Sequence, residues 1–201
     1  YATTQNEIYC SFYAGSTTTL TLEKGNVHLK QTTEYPFSET IRWEVTPEKE
    51  GQPFTMHLRI PTWTGNQFVP GELYTYVNAA PSGWTVKVNG KETKADLRKG
   101  FAIIDRTWKK GDVVELTLPM PLRYSKAIEQ VVANKGRICL TRGPLVYAAE
   151  GVDNNDRLPN VFITGMSGST HISTYTDGLM NGIPKVEIPA WEKTPEGNRE
   201  I

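Results

Sequence analysis

Thr40-Ile41-Arg42-Trp43-Glu44-Val45-Thr46 and, one short turn later, Phe54-Thr55-Met56-His57-Leu58-Arg59-Ile60 decide the fold class. In the first stretch Ile41, Trp43 and Val45 alternate with Arg42 and Glu44. In the second, Phe54, Met56, Leu58 and Ile60 share one parity. An apolar period of two marks a strand with one buried face, because successive side chains in a strand point to opposite sides. Pro61 then closes the second strand, since proline cannot donate to a ladder.

Working outward, the same signal recurs. Residues 8–14 alternate, Gly15-Ser16 turns the chain into 18–22, and Lys24-Gly25-Asn26 is a hairpin signal leading into 27–33. Residues 84–88 resume a strand before Asn89-Gly90, the strongest hairpin turn in the chain, because both positions tolerate positive φ. Strands at 101–104 and 113–118 are joined by Trp108-Lys109-Lys110-Gly111-Asp112. About eight strands at regular spacing predict an all-β fold, an antiparallel β-sandwich of jelly-roll type, over residues 1–121. Pro119-Met120-Pro121 reads as a hinge. Residues 122–201 then form a second, smaller and incomplete β lobe. In it 122–132 is ambiguous, 137–140 and 145–149 are strands, and the tail from 192 carries no clear element. Residues 65–81 read as an aromatic-containing inserted loop.

Composition removes several function classes. Lys and Arg total 22, as do Asp and Glu, so the formal net charge is zero and no basic stripe invites nucleic acid. No segment approaches the roughly 18 consecutive apolar residues of a membrane span. The first residues, Tyr1-Ala2-Thr3, carry no initiator Met, so the chain reads as beginning in mid-protein. Cys10 and Cys139 sit in apolar strand-like runs and read as small buried hydrophobes, with a disulfide or a reactive thiol as the alternatives.

Chemistry-bearing residues are scattered. His28, His57 and His171 lack the short-gap spacing of a metal site. Glu44, Asp105, Asp112, Glu115, Glu129, Glu150, Asp153 and Asp156 are the carboxylates available for a two-acid hydrolytic site. Each has an ordinary reading: Glu44 and Glu115 face solvent, Asp112 belongs to a turn, and Glu150 and Asp153 follow a strand. No catalytic residue and no metal ligand is assigned. The aromatics are a better constellation. Trp63, Phe68, Tyr74, Tyr76 and Trp84 surround the inserted segment, and sugar C–H faces pack on aromatic planes. Trp63 and Trp84 read first as core. Tyr74 and Tyr76, with Trp84 at the rim, are the candidate carbohydrate-binding residues.

Six segments in order carry a resemblance: Glu34-Tyr35-Pro36-Phe37, Leu58-Arg59-Ile60-Pro61-Thr62-Trp63, Val88-Asn89-Gly90, Trp108-Lys109-Lys110-Gly111-Asp112, Leu118-Pro119-Met120-Pro121, and the run from Gly136 to Tyr147. The last contains Arg142-Gly143-Pro144-Leu145-Val146-Tyr147, the most specific piece. Together they resemble the C-terminal β-sandwich region of glycoside hydrolase families 127 and 146, enzymes of β-L-arabinofuranosidase type. The resemblance implies that chemistry resides in an (α/α) barrel preceding this chain. There, zinc held by cysteines and a glutamate activates a cysteine nucleophile, and a second glutamate serves as acid/base. It places the paired cysteines of that site before Tyr1, and matches Cys10 and Cys139 to sandwich strands. The aromatic C-terminal strand of the family finds no good match here. The expected role is a non-catalytic accessory region bracing the barrel, with zinc only in that barrel. The expected partners are the barrel and, as a candidate, a glycan. The expected location is extracytoplasmic, periplasmic or secreted. The alternatives are a carbohydrate-binding module using the loop aromatics and an autonomous hydrolase using paired carboxylates.

Overall fold

A computed structural model describes residues 1–67, 69, 71–78, 83–154, 156, 158–163, 170–176, 178 and 182–200. Two sheets face each other to form a sandwich. The five-stranded sheet contains β1 (Ala2–Thr4), β2 (Glu7–Cys10), β6 (Gln52–Arg59), β11 (Phe101–Trp108) and β10 (Asp96–Arg98), in the spatial order β1-β2-β6-β11-β10. The six-stranded sheet contains β3 (Ser16–Leu22), β4 (Gly25–Thr33), β5 (Thr40–Pro47), β12 (Asp112–Thr117), β8 (Thr85–Val88) and β9 (Lys91–Glu92), in the order β3-β4-β5-β12-β8-β9. Its pairings are antiparallel. In the five-stranded sheet, β2 runs parallel to β6, with Glu7 opposite Thr55 and Cys10 opposite Leu58. The fold is all-β, as the alternation predicts.

The alternating residues supply the core between the sheets. Ile41, Trp43 and Val45 from β5 meet Phe54, Met56 and Leu58 from β6, all essentially buried, together with Val27, Leu29, Trp108, Val114 and Leu116. Trp108 stacks on Phe54 at 5.3 Å between ring centroids, and its Nε1–H donates 2.8 Å to the Phe54 carbonyl. Trp108 therefore buries its own indole N–H with a partner. Trp63 and Trp84 are half-buried and pack against this core. The β8–β9 turn has Asn89 at φ 52° and Gly90 at φ 74°, the left-handed pair that a two-residue hairpin turn requires.

A second assembly follows Pro121. Strands β13 (Leu122–Ala127), β14 (Cys139–Arg142) and β15 (Leu145–Tyr147) form an antiparallel meander. Its fourth strand, β7 (Tyr74–Tyr76), comes from the segment read as an inserted loop and pairs with β13. Tyr-Thr-Tyr is a good β-former, but with no ladder partner nearby in sequence its state is decided by tertiary pairing. The Arg142-Gly143-Pro144 turn depends on its glycine. Gly143 has φ 56°, and a Cβ there would lie 2.7 Å from Met120 Cγ. Farther on, β16 (Val161–Phe162), β19 (Trp191–Thr194) and β20 (Gly197–Glu200) form a three-stranded sheet, and β17 (His171–Thr174) pairs with β18 (Pro184–Glu187). The tail is thus a hairpin, against the expectation of no element. Its inward residue is Glu192, 6% exposed and bonded by Arg199 at 2.6 Å, so an ion pair stands where alternation looks for an apolar side chain.

Candidate functional site

Tyr74 and Tyr76 sit at the two ends of β7, half-buried. The Arg123 guanidinium lies over the Tyr76 ring, 3.2 Å from its centroid, and Asn134 Nδ2 donates 3.2 Å to the Tyr74 hydroxyl. Arg123 is 3% exposed and faces carbonyls rather than a carboxylate: it donates to Gly65 O, to Trp63 O at 3.4 Å and to Asn78 O at 3.5 Å. Asn78 completes the clasp, donating to Leu122 O at 3.1 Å and accepting from Tyr124 N–H at 2.9 Å. Burial lowers the Arg123 pKa, while Tyr76 raises it. Trp84 sits apart, against the sandwich core. Phe68 lies outside the described residues.

Among the described residues the candidate carboxylates do not gather with one another. Glu44 bonds Arg42 at 2.5 Å, which with Lys30 holds it below the usual carboxylate range. Asp112 is buried. Burial pushes its pKa up, but hydrogen bonds from Asn89 Nδ2 at 2.8 Å and Lys109 N–H at 2.9 Å, with Arg106 beyond, outweigh it and hold the carboxyl low. Glu150 is exposed, and the Asp153 side chain lies outside the described residues. Both cysteines are free thiols; Cys10 is fully buried, and desolvation pushes it up to about 12. Among the described residues no group of three or more His, Cys, Asp and Glu side chains converges as metal ligands.

One polar trough is present on the outer face of the five-stranded sheet. Register builds it. Glu7, Thr55 and Asp105 lie abreast on β2, β6 and β11; Tyr9, His57, Ile103 and Asp96 form the next row. The trough encloses about 600 Å³ and is lined by Glu7, Thr55, His57, Lys94, Asp96, Arg98, Ile103 and Asp105. Tyr9 stacks on the His57 imidazole at 4.2 Å, and Phe101 meets both rings edge-on. Glu7 Oε2 accepts from Tyr9 OH at 2.8 Å and Thr4 Oγ1 at 2.9 Å, and these bonds hold its carboxyl below its ordinary value. Thr55 Oγ1 donates 3.1 Å to Asp105. In sequence Asp105 and His57 stand apart, Glu7 and Asp96 carry no signal of their own, and no local motif joins the four.

Two facing sheets and a smaller four-stranded sheet that borrows β7 define the class: an antiparallel-rich β-sandwich followed by a second, smaller β lobe. The chain belongs to glycoside hydrolase family 127. Residues 7–120 match the GH127 middle domain of β-L-arabinofuranosidase, and residues 122–191 match the family 127 C-terminal domain. The non-reducing end β-L-arabinofuranosidase of Bifidobacterium longum is 31% identical over 136 residues, which are 66% of this chain and 18% of that protein. A solved GH127 β-arabinofuranosidase superposes with a TM-score of 0.87 at 33% identity, over 98% of this chain and 31% of that one. The GH127 β-L-arabinofuranosidase of Geobacillus stearothermophilus gives 0.82 at 31% identity, over 100% of this chain and 30% of that one. The chain therefore spans less than a third of the relatives it matches.

Proposed function

We propose that this chain is the non-catalytic accessory region of a larger, extracytoplasmic β-L-arabinofuranosidase-type glycoside hydrolase that degrades polysaccharide, where it braces an (α/α) catalytic barrel carrying the zinc. The observation that supports this reading is the pairing of matches to the middle and C-terminal family domains with coverage of under a third of each solved relative. Proton NMR of the folded chain with a small β-L-arabinofuranoside, zinc and reductant tests the non-catalytic part. The substrate is expected to persist, and free-sugar anomeric signals overturn the reading. The bracing part predicts that the parent's barrel, produced separately, forms a one-to-one complex with this chain; failure of two folded partners to associate overturns it.

A further inference from the structure

The Asn89-Gly90 turn joins a structural demand to a chemical liability. A two-residue hairpin needs left-handed backbone at both positions, which Asn89 and Gly90 adopt at φ 52° and 74°. The same pair is prone to cyclisation, because glycine has no side chain to shield its amide nitrogen from the preceding carboxamide. We propose that Asn89 is a deamidation site gated by the β8–β9 hairpin. The closed turn withholds its carboxamide from Gly90, and each opening exposes it to an irreversible conversion that hinders reclosure.

The reaction needs only water. The Gly90 nitrogen bonds to Asn89 Cγ and gives up its proton, the Cγ–Nδ2 bond breaks, and ammonia leaves with that proton. Water then opens the cyclic imide at either carbonyl, leaving aspartate or isoaspartate at position 89.

Hydrogen bonds, not burial, withhold the carboxamide. Asn89 is exposed, and a Cβ on Gly90 would meet nothing within 4 Å, so water reaches an uncrowded turn. Asn89 Nδ2 donates 2.8 Å to Asp112 Oδ1, and Asn89 Oδ1 accepts 2.8 Å from the Val113 N–H. The Asn89 N–H donates 2.8 Å to the Val113 carbonyl, a third tie to the start of β12. Attack on Cγ comes from above the carboxamide plane, so the group must turn, and turning breaks both side-chain bonds. Asp112 is not free to follow, because its Oδ2 accepts from the Lys109 N–H at 2.9 Å and faces Arg106 at 3.6 Å.

Neither product fits the closed turn. Aspartate puts an oxygen without a proton where Nδ2 stood, 2.8 Å from Asp112 Oδ1, so two carboxylates meet where a hydrogen bond was. Isoaspartate adds a methylene to the backbone between Val88 and Lys91, which pair across the turn, and a two-residue loop has no slack for it.

The test is peptide mapping by mass spectrometry of the full chain incubated at neutral pH, folded and in urea. Asn181-Gly182, the second such pair in the sequence, supplies an internal reference in the unfolded chain. In urea both pairs are expected to lose ammonia at comparable rates. In the folded chain Asn89 is expected to react roughly tenfold more slowly or less, the scale of breaking two hydrogen bonds. Asp112→Ala, shown folded by a cooperative melt, is expected to speed the folded-state reaction severalfold. Asn89→Asp, a mimic of one product, is expected to lower the folded-to-unfolded ratio roughly tenfold in urea melts at neutral pH. The proposal is overturned if Asn89 reacts as fast folded as unfolded, if folded Asp112→Ala reacts no faster than wild type, or if Asn89→Asp is as stable as wild type. The wild-type comparison and the Asn89→Asp melt decide the matter even where Asp112→Ala does not fold. None of these outcomes bears on whether the barrel docks, so this site and the bracing role stand or fall separately.

Discussion

Asp112 shows how one buried acid ties two turns together. Its carboxylate holds Asn89, the first residue of the β8–β9 turn, and the Lys109 amide of the β11–β12 turn. Because its pKa is depressed in the folded state, its contribution is fully present above the unfolded carboxyl value of about 3.9 and is lost as pH falls through the lower folded value. Asp112→Asn is therefore expected to cost about 2 kcal/mol at pH 7. The gap to wild type should narrow below about pH 4. Urea melts at pH 7 and pH 3 check this, and a constant gap would remove the carboxylate from the account. The turn around Asp112 was legible in sequence because Lys-Lys-Gly-Asp is local chemistry. The trough was not, since Glu7, His57 and Asp105 lie on three strands brought abreast only by register.

At the scale of elements, β7 is the decisive piece. Its ladder to β13 is short, with Tyr76 opposite Ser125 and Tyr74 opposite Ala127. Arg123 locks it from behind. Arg123→Ala leaves three backbone carbonyls and a tyrosine face uncovered, a loss expected to cost about 3 kcal/mol or more. Arg123→Lys recovers little, because an ammonium cannot reproduce the planar fork over Tyr76. Hydrogen exchange should rise at residues 73–78 in both variants; protection unchanged from wild type would show that the clasp is redundant. The long alternating strands β5 and β6 were readable from sequence because each buries one complete face. Strand β7 was not, since three residues carry no period and its partner is remote. The β19–β20 hairpin was hidden for a different reason: its inward position is an acid neutralised by Arg199, which inverts the hydropathy pattern.

Across the whole molecule, the borrowed strand joins what sequence reads as separate lobes. Met120 N–H donates to Glu39 at 2.8 Å and Arg142 to the Phe37 carbonyl at 3.2 Å, adding polar contacts beside the β7 ladder. Residues 122–201 alone lack β7 and are expected to show no cooperative melt, whereas residues 1–121 retain both sandwich sheets and their core. Circular dichroism of the two fragments checks this, and a sharp transition in the shorter one would show that its sheet closes without the borrowed strand. The parallel β2–β6 pairing has a further consequence. Between the two strands the chain crosses to the opposite sheet and lays down β3, β4 and β5 before returning. A nascent chain leaving the ribosome must therefore hold one edge of β2 unpaired until that meander is complete, and β6 must later wait for β11. Such deferred, distant pairings give high contact order, so refolding is set by topology, on the order of milliseconds to seconds.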